Sequence, residues 1–263
     1  MSAAESAHLG RALCIITGAS RGFGRAVALD LSRLLLPGSV LVLAARSGAD
    51  LRAVEAELAG RAGLSVRSVE ADVGQSEGLD GVMSACKEAS SADIDHLILI
   101  NNAASLGDVS RFTTGFTSLP EVDSYMSLNV SSPLCLTAGV LRAVPRRAGL
   151  RRTVVNVSSL CALRPFRSWV LYCTGKAARD MTFRVLAEEE PDVRVLSYSP
   201  GPLDTDMQRE ARSHTADPDI RKSFSDMFSE GQLLSCQASC AKLLKLLLED
   251  AFTSGDHVDV YDV

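Results

Sequence analysis

Short apolar runs alternate along this chain with longer amphipathic stretches. Residues 13–16, 40–44, 96–100, 153–157 and 193–197 are apolar runs of strand length, and residues 65–70 supply a sixth strand. Runs of this kind, bounded by turn residues, suit strands buried on both faces. Between them, helical periodicity is read over residues 24–36, 49–58, 79–89, 122–144 and 172–189. Strand and helix in strict alternation predict an α/β fold, a doubly wound parallel sheet of Rossmann type with helices on both faces. The 263 residues contain no repeat, low-complexity stretch or long linker, so a single domain spanning residues 1–263 is expected.

Composition excludes several function classes. The net charge is -5 and the basic residues form no run, which gives nucleic-acid binding no electrostatic support. The longest apolar region, residues 34–45, is interrupted by Pro37 and Gly38 and cannot span a membrane. The amino terminus, MSAAESAHLGRA, lacks a basic patch followed by an apolar stretch, so no secretory signal is read. Seven scattered cysteines form no CxxC pair and no cluster with histidine. They are expected to be reduced thiols in a cytoplasmic protein that binds no metal.

The first strand runs directly into residues 17–24, TGASRGFG. Gly18, Gly22 and Gly24 allow a tight turn, close backbone approach to a pyrophosphate and close packing of the following helix. The helix start offers its unpaired N–H groups to phosphates. Ser20 and Phe23 belong to the same loop. The second strand ends in Ala45, Arg46 and Ser47, with no acid there to bind the ribose hydroxyls of NAD. Arg46 and Arg21 are instead suited to a 2′-phosphate, which favours NADP(H) as the cofactor.

Residues 159–176 carry the chemistry. Ser159 follows a buried strand, and Tyr172 and Lys176 stand at i and i+4, on one face of a helix. A phenol ionises near pH ~10. A fixed positive charge beside it is expected to bring that value towards the working range. After the sixth strand, residues 200–202 (PGP) open a region with no clear helix until Asp217, a candidate lid at a strand end. The chain closes on alternating residues that fit a last edge strand, with Asp256, Asp259 and Asp262 as acids there. Two helical stretches carry apolar residues on more than one side, Leu128, Leu134 and Leu136 in one and Met181, Phe183 and Leu186 in the other. They suit either packing on the sheet or a symmetric helical interface.

In order and spacing, Thr17, Gly18, Gly22 and Gly24, then Asp72, Asn101-Asn102-Ala103, Asn129, Ser159, Tyr172, Lys176 and Pro200-Gly201 resemble the short-chain dehydrogenase/reductase family over nearly the whole chain. The resemblance implies that Asp72 and Val73 hold the adenine and that Asn101 supports the cofactor. Asn129 would steady Lys176 through water, and Leu203, Asp204, Thr205, Asp206, Met207 and Gln208 would lie over the nicotinamide. It also implies helix pairing between subunits, and so a homodimer.

Within the family, residues 37–43 (PGSVLVL), 105–110 (SLGDVS), 158–163 (SSLCAL), 200–207 (PGPLDTDM) and 257–261 (HVDVY) resemble members that reduce side-chain ketones of 6-substituted pterins, the last step towards tetrahydrobiopterin. That likeness implies a substrate site of Ser159, Tyr172, Gly201 and Asp259, with the Asp259 carboxylate on the pterin ring. Two other readings stay open, a broader carbonyl or diketone reductase and a silent cofactor-binding sensor or scaffold.

Overall fold

A computed structural model describes residues 8–90 and 93–263. Residues 1–7, most of the amino-terminal stretch in which no secretory signal is read, lie outside the described residues. Seven strands, β1 (Ala12–Thr17), β2 (Val40–Ala45), β3 (Ser65–Glu70), β4 (His96–Asn101), β5 (Arg151–Val157), β6 (Val193–Ser199) and β7 (His257–Asp259), form one parallel sheet in the order β3-β2-β1-β4-β5-β6-β7. Every residue of β1, β2 and β4 is buried, as unbroken apolar runs covered on both faces require.

Helices α1 (Gly22–Leu31), α2 (Gly48–Leu58) and α9 (Cys236–Glu249) cover one face through residues such as Val27, Leu51 and Leu243. On the other face lie α3 (Ser76–Ala89), α5 (Ser132–Ala143) and α6 (Val170–Glu189), packed through Val82, Val140 and Phe183. The strand order reverses between β1 and β4, and a crevice opens beyond the carboxyl ends of the strands at that point.

Three expectations need correction. The periodicity over 122–144 is not one regular helix, because α4 (Leu119–Met126) passes through a π turn (Ser127–Ser131) into α5. Pro133 cannot donate to the Asn129 carbonyl and its ring crowds that oxygen, so the ladder slips locally to an i→i+5 bond from Ser132 to Ser127. The first helix also ends early, at Leu31, and a 3₁₀ turn (Ser32–Leu34) leads to Pro37.

The third correction concerns the region after Pro200, where α7 (Asp206–His214) forms ahead of α8 (Pro218–Ser229). Only Gln208 and Ala211 of α7 are buried, so the helix shows almost no apolar period. Its support is electrostatic, with Asp206 in the first turn, Arg212 and His214 in the last, and an Arg209–Asp206 pair at 2.6 Å.

Candidate active site

The crevice has a volume of about 1180 Å³ and is lined from the glycine loop at one end to β7 at the other. Its floor is fixed where β1 meets β4. The Thr17 hydroxyl accepts the N–H groups of Asn102 and Ala103 at 3.1 and 3.0 Å, and the Asn102 amide donates to the carbonyls of Thr17 and Gly18. A Cβ on Gly24 would stand 2.2 Å from the Gly18 oxygen, and one on Gly18, whose φ is +66°, would stand 2.8 Å from the Asn102 amide nitrogen. Neither of these two positions therefore tolerates a side chain, and the bare backbone lets the loop pack closely against Asn102.

Gly18, Ser20, Arg21, Gly22, Phe23 and Gly24 all line the crevice, as do Arg46, Ser47, Asp72 and Val73 at the ends of β2 and β3. Asp72 also accepts the Gly74 N–H at 3.0 Å, which fixes the turn beyond β3. Arg21 does not stand free for a phosphate. It pairs with Asp206 at 2.8 Å and so ties the glycine loop to the start of α7. Both partners are exposed, and such a pair contributes little, so a competing anion can displace it. Leu203, Asp204, Thr205, Asp206, Met207 and Gln208 line the opposite wall.

Ser159, Tyr172 and Lys176 meet at the centre. Ser159 ends the extended chain after β5 and accepts the Cys161 N–H at 3.2 Å, while Lys176 lies 5.5 Å from the Tyr172 ring and donates to the Val157 carbonyl at 2.6 Å. The electrostatics differ from the sequence-based expectation. Burial pushes the Tyr172 phenol above its ordinary value, with the Cys161 thiol adding to the rise, and it outweighs the lowering influence of Ser159 and of the Arg179 charge. Burial, with Arg179 nearby, also holds Lys176 well below the usual ammonium range. Tyr172 is thereby kept protonated, the form a proton donor needs.

Two candidate residues lie away from this centre. Asn101 does not line the crevice, because its amide donates to Thr137 at 2.9 Å and its carbonyl accepts from Arg179. The crevice surface at that strand end is formed instead by Asn102, Ala103 and Ala104. The Asn129 side chain is occupied by the Ser105 N–H and the Tyr125 carbonyl, both at 2.9 Å, and borders a separate hollow of about 230 Å³.

Asp259 lines the same crevice as Tyr172. Its carboxylate accepts the Ser199 hydroxyl at 2.7 Å and the Tyr261 N–H at 3.1 Å. Gly201 is also in the lining, and its bare Cα lets the tail approach, since a Cβ there would come within 2.8 Å of Val260.

The sequence profile described as short chain dehydrogenase matches residues 12–216. The chain belongs to the short-chain dehydrogenase family. This dehydrogenase is 55% identical over 260 residues to the sepiapterin reductase of Meriones unguiculatus, a match covering 98% of this chain and 99% of that protein. It is 52% identical to the sepiapterin reductase of Xenopus laevis across the full length of both. Among solved structures it resembles the L-sorbose reductase of Gluconobacter frateurii complexed with NADPH and L-sorbose, with a TM-score of 0.78 and 25% identity, covering 97% of each chain.

The apolar wall of the dehydrogenase's crevice has little local signal in the chain. Trp169 packs edge-on against Tyr172 at 5.6 Å and against Phe224 at 5.0 Å, closing one side with Phe166 and Leu106. The one available signal was that Trp169, the sole tryptophan, stands three residues before Tyr172.

Equally hidden was a buried network beneath the centre. Arg179 donates to the Asn156 side chain and to the Asn101 and Ala103 carbonyls, and Asp180 accepts from Asn156, Ser158 and His257 at 2.9, 2.5 and 2.6 Å. It locks the ends of β4 and β5 and the tail strand to the helix carrying Tyr172 and Lys176.

Proposed function

We propose that this dehydrogenase reduces side-chain carbonyls of 6-substituted pterins, sepiapterin and 6-pyruvoyl-tetrahydropterin among them, with NADPH, as the last step towards tetrahydrobiopterin. The observation that carries this reading is Asp259, a fixed carboxylate in the same crevice as Ser159 and Tyr172. The full-length likeness to sepiapterin reductases supports it. NADPH oxidation assayed with sepiapterin and then with a simple diketone tests it, and turnover of the diketone alone would overturn the pterin assignment.

Reducing a ketone needs hydride at carbon and a proton at oxygen. The bound nicotinamide supplies the hydride. The Tyr172 hydroxyl gives its proton to the carbonyl oxygen, and the Ser159 hydroxyl donates to that oxygen as negative charge develops on it. Lys176, anchored on the Val157 carbonyl one turn from Tyr172, stands beside the phenolate that the transfer leaves, and that new negative charge favours the ammonium form that burial opposes. Trp169, Phe166 and Phe224 exclude water from that side.

Arg46 and Arg21 read the 2′-phosphate, and Asp72 and Val73 hold the adenine. Arg46→Ala is expected to weaken NADPH by about 1 kcal/mol, roughly fivefold in Kd, because an exposed ion pair is worth about that much. NADH binding should hardly change. Titration of both cofactors checks this, and equal losses would remove Arg46 from the 2′-phosphate.

The protein works as a single-domain cytoplasmic homodimer in this reading. All seven cysteines are free thiols, and among the described residues no helix is long and apolar enough to cross a membrane. Leu136 and Phe183 are packed on the sheet, but Leu134, Met181 and Val185 are exposed at 50%, 57% and 45%. Pairing α5 and α6 about a twofold axis would bury them. Light scattering at assay concentration should report twice the 28.0 kDa chain, and a particle of 28.0 kDa would exclude the dimer.

A further inference from the structure

We propose, on the pterin reading above, that Tyr261 is a specificity-determining residue whose ring stacks on the heterocycle held by Asp259 and so selects planar fused rings over small ketones. Tyr261 lines the crevice and is 65% exposed. Among the described residues, Leu160 and Tyr261 are the only exposed large apolar side chains in that lining. Leu160 follows Ser159 at the reacting centre, whereas Tyr261 stands beside the anchoring acid.

Little of the fold depends on that ring. The preceding Val260 is fully buried, and Lys242 on α9 donates to its carbonyl at 2.8 Å. The Tyr261 N–H donates to the Asp259 carboxylate at 3.1 Å, and the Asp259 N–H donates to Asp262 at 3.2 Å. Backbone and neighbouring side chains thus fix the turn that carries the tyrosine, while no described residue hydrogen-bonds its hydroxyl or stacks on its ring. The ring edge comes up to Gly201, with Cε2 3.8 Å from where a Cβ on that glycine would stand. A side chain fixed at its base and open along its faces is preorganised for a flat ligand.

The distances bring ring and ligand together. The Tyr261 nitrogen is 3.1 Å from an Asp259 oxygen and an N–Cα bond is about 1.46 Å, so the Tyr261 Cα stands within about 4.6 Å of that oxygen. A heterocycle hydrogen-bonded to the carboxylate begins about 2.8 Å from it and therefore lies beside this side chain. A tyrosine ring turns on two torsions only, so ordering it costs little. Stacked there, it also covers the carboxylate from water and strengthens the hydrogen bonds to the ligand. Alanine in place of a ring that stacks a nucleic-acid base, a planar heterocycle like a pterin, weakens binding about fivefold or more. Butane-2,3-dione has no ring to stack.

The parent, Tyr261→Ala, Tyr261→Leu and Tyr261→Phe test this. Binding of 6-methylpterin, which has no side-chain ketone, to the NADP⁺-loaded protein is read by quenching of its fluorescence. Steady-state kinetics with NADPH follow sepiapterin and butane-2,3-dione. Alanine and leucine are expected to weaken 6-methylpterin and to raise KM for sepiapterin at least about fivefold. The kcat for sepiapterin and the KM for the dione should stay within about twofold of the parent, since the ring acts on binding of the heterocycle alone. Phenylalanine keeps the π face and should restore both pterin values.

Unaltered 6-methylpterin binding and sepiapterin KM in Tyr261→Ala would overturn the stacking role and leave the pterin reading standing. The same holds if Tyr261→Leu binds like the parent, because leucine covers the acid without a π face, or if Tyr261→Phe loses as much as alanine. An equal loss for the dione would make the residue part of the tail's structure. Should the alanine variant fail to fold, leucine against phenylalanine carries the comparison. A parent that neither binds 6-methylpterin nor reduces sepiapterin overturns the pterin reading and the stacking role with it.

Discussion

Replacing Tyr172 by phenylalanine is expected to lower pterin reduction by on the order of 10²–10⁴-fold, the range for losing a positioned general acid, while NADPH binding stays within about twofold of the parent. The substitution removes one hydroxyl and leaves the ring in place. The ring is held edge-on by Trp169 at 5.6 Å, and the hydroxyl makes a weak approach to Met207 at 3.9 Å. Little of the fold therefore depends on the oxygen.

The proton it supplies acts only as charge develops on the carbonyl, so its loss should lower kcat and kcat/KM together. Cofactor titration and steady-state kinetics on the same preparation separate the two effects. Undiminished turnover would remove Tyr172 from proton transfer and leave Ser159 as the alternative donor.

The same residue shows where sequence reasoning stops. The i,i+4 spacing of Tyr172 and Lys176 is visible in one dimension, and so is their place beside a glycine-opened helix and a buried strand. Spacing alone suggests that the lysine charge lowers the phenol's pKa. Which influence prevails depends on how deeply both are buried, and burial raises Tyr172 and lowers Lys176. The apolar cluster around Tyr172 draws on groups distant in sequence, Leu106 and, on α8, Phe224 among them.

The strands were legible for the opposite reason. Their signal is local, since unbroken apolar runs such as 13–16 and 96–100 have few other ways to be buried. Helix α7 was not, because a helix held by Asp206, Arg209 and Arg212 presents charges that look like a solvated loop. Asn101 shows the same limit within the site. Its motif points to the crevice, but the pleat turns its amide to Thr137 and presents Asn102 to the glycine loop.

The Arg179–Asp180–His257 network had no local signal at all. It joins α6, the ends of β4 and β5 and the carboxyl tail, and only the strand order brings these together. Its consequence for function is that the tail strand carrying Asp259 is fixed to the helix carrying Tyr172. The proposed substrate anchor and proton donor thus belong to one unit.

Asp259→Ala should therefore cut kcat/KM for sepiapterin at least about tenfold, since one lost charge-assisted hydrogen bond costs ~1.5–3 kcal/mol, while a small diketone keeps its rate. The Ser199 hydroxyl and the Tyr261 N–H each use one carboxylate oxygen. A carboxylate has about four acceptor positions, so both oxygens retain one for a ligand. A pterin presents a ring N–H and an amino group side by side, which a carboxylate can accept as a pair. A simple diketone has no such edge.

Alanine also removes the cap on the terminal 3₁₀ turn (Val260–Asp262), in which Asp262 bonds back to the Asp259 N–H. Asp259→Asn separates the two effects. Its amide oxygen can still accept from Tyr261, but its NH₂ group opposes the donors of the pterin edge and the charge is gone. A shared loss for sepiapterin in both variants, with the diketone rate intact, assigns Asp259 to the ring. If the diketone rate fell as far as the sepiapterin rate in Asp259→Asn, the residue would serve the tail's structure and the pterin would need another anchor.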